Sequence, residues 1–77
     1  MIEERDILNS QILIVDDEPS NGTMLEIALE KEGFVNIQNT TSPFEAVKIY
    51  DEIRPDLVLL DLRMPGMDGF EVLEAFW

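Results

Sequence analysis

Two acidic punctuations follow apolar runs in this 77-residue chain. Asp16-Asp17 closes Ile12-Leu13-Ile14-Val15, and Asp61 closes Leu57-Val58-Leu59-Leu60. The chain has no histidine and no cysteine. Imidazole-assisted nucleophiles, imidazole- or thiolate-bound metals and disulfides are therefore excluded, which leaves carboxylate chemistry. If the two runs are neighbouring strands, three carboxylates meet at one edge of a sheet. Like charges at that range push at least one pKa upward unless something compensates them. A hard divalent cation does so. Mg²⁺ takes one or two carboxylates, keeps several waters and leaves positions for phosphate oxygens. A carboxylate can also accept a phosphoryl group as an aspartyl phosphate. Acids at strand ends serve equally as helix caps and solvated turns, and spacing alone leaves both readings open.

The elements that must position these acids can be read from periodicity. Gln11 to Val15 is a continuous β-branched run, suited to a strand covered on both faces. Pro19 to Glu32 changes period: Leu25, Ala28 and Leu29, with Met24 beside them, fall at helical spacing, and Glu26, Glu30 and Lys31 take the wet side. Gly33 stands where a left-handed cap is wanted. Phe34 to Asn39 reads as a weaker strand. Ser42-Pro43-Phe44-Glu45 is a capping box opening a helix with Phe44, Val47 and Tyr50 on one face, which Pro55 ends. Leu57 to Leu60 is a second buried strand. Pro65-Gly66 marks a turn, and Asp68-Gly69-Phe70-Glu71 resembles another capping box before a third helix. The order strand, helix, strand, helix, strand, helix predicts parallel strands with right-handed crossovers. Such α/β sheets bind ligands at the carboxyl ends of their strands, where these acids fall. Residues 1–10 read as a polar, solvated extension, and 11–77 as the folded unit.

Five basic against 17 acidic side chains leave a net charge of −12. That excludes a nucleic-acid grip by this chain and argues against an anionic membrane surface. The apolar runs are too short to span a bilayer, and the acidic amino terminus is unlike a secretory signal, so a cytoplasmic protein is expected.

The run Ile12-Leu13-Ile14-Val15-Asp16-Asp17-Glu18-Pro19, followed by Pro55-Asp56-Leu57-Val58-Leu59-Leu60-Asp61-Leu62-Arg63-Met64-Pro65-Gly66-Met67-Asp68-Gly69, closely resembles the receiver domain of two-component response regulators. The resemblance extends from about Gln11 to about Leu73, the first three-fifths of such a domain. It implies a flavodoxin-like doubly wound parallel sheet of order 2-1-3-4-5, here its β-α-β-α-β-α amino-terminal portion. It implies that Asp61 is the phosphoacceptor, supplied by a sensor histidine kinase, a histidine phosphotransfer protein or a small phosphodonor. Mg²⁺ would be held by Asp17, Asp61 and the main-chain carbonyl of Arg63, with Asp16 acting through a metal-bound water. The protein would then be a phosphoacceptor signalling module and not an enzyme in the turnover sense.

Members of the family continue through two more strands, after which stand a Ser or Thr and then a Lys that bind the phosphoryl group. Neither is present, and Lys31 and Lys48 are not placed to substitute. The chain therefore reads as a partial receiver without the conformational switch. A phosphate-independent interaction fragment of the same fold is the alternative. An aspartyl-nucleophile phosphatase is a poorer one, since Asp61 has no second acid two places on. With Leu57 to Leu60 as a sheet edge, pairing into a homo-oligomer is expected, through these strands or through the Phe70 to Trp77 helices.

Overall fold

Ile12, Leu13, Ile14 and Val15 are each entirely shielded from solvent, and the rest of the chain is arranged around them. The structure is a computed structural model that describes residues 3–61, 71 and 74. Its elements run α1 (Glu4–Leu8), β1 (Gln11–Val15), α2 (Pro19–Lys31), β2 (Asn36–Thr40), α3 (Pro43–Ile53) and β3 (Leu57–Leu60). The strands form one parallel sheet of order β2-β1-β3. β1 is central, which explains its unbroken apolarity: four successive side chains alternate between two covered faces. Leu13 and Val15 pack with Ala46 of α3, flanked by Ile49, Tyr50, Val58 and Leu60. Ile12 and Ile14 alternate to the opposite face, across which α2 crosses from β1 to β2.

The ladder continues past the strands into the acids. The Asp16 amide donates to the Thr40 carbonyl at 3.2 Å, and the Asp61 amide to the Val15 carbonyl at 2.9 Å. At the other end of β1, the Gln11 amide donates to the Asp56 carboxylate at 2.8 Å, and the Asp56 amide donates back to the Gln11 carbonyl at 2.8 Å. Both ends of the central strand are thus pinned to its neighbour β3.

Helix boundaries follow local chemistry. Glu18 caps α2, its carboxylate accepting from the Ser20 hydroxyl at 3.0 Å. After α2 the Gly33 amide donates to Glu30 and the Phe34 amide to Leu29, a Schellman turn in which Gly33 takes φ +103°. Because Phe34 is still closing the helix, β2 begins at Asn36, two residues later than periodicity predicts, and ends at Thr40. Ser42 caps α3, its hydroxyl accepting from the Glu45 amide at 3.2 Å. Arg54 leaves α3 with φ +45°, as the following proline disfavours a further helical residue.

Two amphipathic readings are corrected. Of the apolar residues read for the inner face of α2, Leu29 is half-buried as expected, whereas Ala28 is exposed and Leu25 and Met24 are 39% and 68% exposed. Gly22 and Glu26 join Leu29 on the side turned to the sheet. A Cβ on Gly22 would lie 2.5 Å from Asn39 Oδ1, so the helix here packs directly against the Asn39 side chain, which a larger residue would displace. In α3, Phe44 is 58% exposed, whereas Ala46, Ile49 and Tyr50 face the core.

Residues 4–8, read from sequence as part of a solvated extension, form the short helix α1. The Glu3 amide donates to the Asp6 carboxylate at 3.1 Å, and the Asn36 side chain donates to the Asn9 carbonyl at 2.8 Å, tying this segment to the start of β2. Glu71 and Glu74 have helical backbone where a third helix is expected. The Pro65-Gly66 turn, the Asp68 cap and the Arg63 carbonyl lie outside the described residues.

Candidate functional site: an acidic cluster at the strand ends

The two carboxyl-terminal ends of β1 and β3 bring the sequence-predicted acids together. Asp16, Asp17 and Asp61 each offer a carboxylate oxygen such that all three lie within 4.8 Å of one another. Each position has a backbone cause. Asp16 and Asp61 are held by the ladder bonds described above, which leaves both half-buried, while Asp17 follows in the turn and is exposed. Asp16 Oδ1 accepts from the Glu18 amide at 2.9 Å. This bond orients the Asp16 side chain and closes the turn that starts α2.

The cluster lines a cavity of about 650 Å³ between the strand ends and α2. Its walls are apolar, from Ile14, Leu25, Leu59 and Leu60, and its polar groups are the three carboxylates and Asn21. Asn21 was not singled out in the sequence. The available signal is its place in the first turn of the helix that follows the acid pair, which directs it back over the strand ends. The Arg63 carbonyl, named as a candidate ligand, is outside the described residues, so the structure brings together the three side chains only.

The electrostatics match the expectation for crowded acids. Desolvation in the cluster, a side-chain hydrogen bond with Asp61, and the charges of Asp61 and Asp16 raise the Asp17 pKa above the ordinary carboxylate value, opposed only by a backbone hydrogen bond. A raised folded-state pKa means the folded protein holds this proton more tightly than the unfolded chain does. The resulting stabilisation is complete at acid pH below the ordinary carboxylate range, and is lost as pH rises through the raised value. In divalent-free buffer, Asp17→Asn is therefore expected to raise the thermal midpoint at neutral pH, and the gain should shrink toward pH 4. Melting curves across that range, with and without the substitution, check the sign.

Among the described residues lining the cavity, the donor set is oxygen only, carries three negative charges and has no fixed cation beside it. It suits a small hard cation with phosphate oxygens completing its sphere, and does not suit thiophilic or imidazole-seeking metals.

Comparison with known proteins agrees with this geometry. Residues 12–76 match the family model of the response regulator receiver domain. Sporulation initiation phosphotransferase F of Bacillus subtilis is 43% identical over 68 residues, which are 88% of this chain and 54% of that protein. The DNA-binding response regulator MtrA of Mycolicibacterium smegmatis is 48% identical over 69 residues, 87% of this chain and 29% of that one. Among solved structures, the amino-terminal domain of a response regulator receiver protein from Methanoculleus marisnigri superposes with a TM-score of 0.79 at 38% identity, covering 84% of this chain and 52% of that one. The Vibrio cholerae chemotaxis protein CheY4 gives 0.82 at 29% identity, with 88% and 56% covered. The chain thus spans about half the length of the phosphotransferase and of the two solved chains and less than a third of MtrA, in the same flavodoxin-like α/β arrangement. With its sheet order, its strand-end acids and the family match in agreement, the chain belongs to the response regulator receiver domain family of two-component signalling.

Proposed function

We propose that the chain is a phosphoacceptor module in which Asp61 takes a phosphoryl group from a sensor histidine kinase or a histidine phosphotransfer protein. The observation that carries this reading is the gathering of Asp16, Asp17 and Asp61 within 4.8 Å at the ends of adjacent strands of a receiver domain. In the transfer, an Asp61 carboxylate oxygen forms a bond to phosphorus as the donor's phosphorus–nitrogen bond breaks. The departing imidazole keeps the electron pair and takes up a proton. Such transfers depend mainly on positioning and charge neutralisation, so a chain without histidine can act as the acceptor.

Mg²⁺ fits the donor set. Asp17 and Asp61 would hold it directly, with Asp16 through water and the Arg63 carbonyl as a further ligand. When bound, it supplies the positive charge that lets an anionic donor approach an anionic acceptor. The protein's own contribution is rigidity: the Val15–Asp61 and Thr40–Asp16 ladder bonds and the Glu18 amide hold the carboxylates before any ligand arrives.

The same reading makes the domain a signalling acceptor without turnover of its own, cytoplasmic, and without a nucleic-acid or membrane surface in this chain. Among the described residues no helix is long and apolar enough to cross a membrane. A homo-oligomer paired through β3 remains part of the proposal. Light scattering tests that part, and a monomer at micromolar concentration would remove it.

The direct test of the site is an amide-resolved titration with MgCl₂ and MnCl₂. Millimolar Mg²⁺ is expected to move the signals of residues 16–18 and 61, and Mn²⁺ to broaden them selectively. If these signals stay fixed while the rest of the spectrum is well dispersed, the metal assignment is wrong.

A further inference from the structure

At the opposite margin of the sheet from β3 is a surface that phosphoryl transfer leaves unused. β2 has β1 on one side, and among the described residues no strand pairs with its other side. Backbone groups alternate in direction along a strand. The Thr40 carbonyl accepts from Asp16, so Thr40, Gln38 and Asn36 turn their backbone groups toward β1. Those of Ile37 and Asn39 therefore face outward. The strand, Asn36-Ile37-Gln38-Asn39-Thr40, carries neither a charge nor a proline, the usual devices that blunt a sheet edge.

Two grooves flank this edge. One, of about 280 Å³, lies between α2 and the start of β2 and is lined by Glu26, Glu30, Phe34, Val35 and Ile37. Val35 is 69% exposed there. The other, of about 320 Å³, lies at the end of the strand and includes Thr23, Thr41 and Glu45. Among the described residues no lysine or arginine lines either groove. The edge thus combines outward hydrogen-bonding groups, an apolar seat and three carboxylates.

We propose that the outer edge of β2 is a docking site for an extended basic segment of a partner protein, which adds to the sheet as a further strand. Its backbone pairs with Ile37 and Asn39, its lysine or arginine side chains meet Glu26, Glu30 and Glu45, and an apolar side chain rests on Phe34, Val35 and Ile37. This is strand addition, in which main-chain bonds supply affinity and alternate side chains supply selectivity. Charge selects the occupant. A second copy of this chain would bring Glu26, Glu30 and Glu45 against their own equivalents, with −12 on each chain. A cationic strand meets no such opposition.

The test uses the whole chain and a capped hexapeptide alternating lysine and valine. Binding is expected to shift the Ile37 and Asn39 amide signals and to slow their exchange with solvent. A version of the peptide N-methylated at alternate amides cannot complete the ladder, and should bind about tenfold more weakly with the protein unchanged. The double substitution Glu26→Gln with Glu30→Gln should weaken binding and flatten its salt dependence. Equal binding of the N-methylated peptide overturns the proposal. So do shifts spread over the acidic surface that spare Ile37 and Asn39, or a peptide-free dimer in which those two amides are already protected.

Discussion

Asp61→Asn is expected to abolish incorporation of phosphoryl groups while leaving the fold intact. In the proposed transfer the Asp61 carboxylate would attack phosphorus through an anionic oxygen. An amide oxygen at the same place carries no net charge and would not give a stable acyl phosphate. The substitution is close to isosteric and leaves the Asp61 amide, which donates to Val15 at 2.9 Å, where it is. It also removes one negative charge from a cluster whose members lie within 4.8 Å, so thermal stability without divalent ions should hold or rise. Labelling with a small phosphodonor and Mg²⁺, read by intact mass, gives the result. A modification that persists at full level in Asp61→Asn, or that proceeds fully in chelator, would place the chemistry elsewhere. Asp17→Asn separates the two roles: it should weaken metal binding while leaving the acceptor in place, so labelling should slow and recover in part at higher Mg²⁺.

The largest loss of stability is expected from Leu13→Ala. Leu13 is fully buried at the centre of β1, against Ala46 and beside the half-buried Val58 and Leu60. Its neighbours are backbone-fixed on both sides by strand pairing, so the site has little freedom to collapse into the space left behind. A leucine-to-alanine change in such a position costs about 2–5 kcal/mol. A domain of this length has on the order of 5–10 kcal/mol in all. At a slope of about 1 kcal/mol per molar urea, the midpoint should fall by about 2 M or more, and the protein should be partly unfolded without denaturant at warm temperature. Phe44→Ala is the contrast. Phe44 is larger but 58% exposed, and its removal should change stability by no more than about 0.5 kcal/mol. Urea unfolding followed by far-ultraviolet circular dichroism decides both. Equal losses for the two variants would mean that the core has been misplaced.

That contrast marks the boundary between what the amino-acid sequence alone determined and what only tertiary structure decided. Elements were legible wherever local chemistry is strong. Gln11 to Val15 is a buried strand as read, Leu57 to Leu60 is a strand but half-buried to exposed and not the buried one expected, Ser42-Pro43 opens a helix, and Gly33 closes one. In each case the signal is a backbone preference or a cap that acts within a few residues. The alternation of elements carried the parallel topology, because crossovers are right-handed and strands in such sheets bury both faces. The acids at 16, 17 and 61 were legible for the same reason: each directly follows a strand, so placing the strands side by side places them together.

What could not be read was which side of each helix meets the sheet. The apolar residues of α2 suggest Leu25, Ala28, Leu29 and Met24, yet of these Leu29 alone is half-buried, and Gly22 and Glu26 share its side, with Gly22 seated against the Asn39 side chain. Contact distance between two elements is a property of the pair, and the hydrophobic pattern of one element does not contain it. The register of β2 was hidden similarly. A Schellman turn uses Phe34 as part of the preceding helix, and only then can the strand begin at Asn36. Asn21 joined the site unannounced, since its place over the strand ends depends on how α2 leaves the Asp16–Glu18 turn. Local propensity acts through bonds and near neighbours in the chain. The seating of a helix, the place of β2 at a margin of the sheet and the spacing of three carboxylates are set by residues far apart in sequence, and those distances exist only once the sheet has formed.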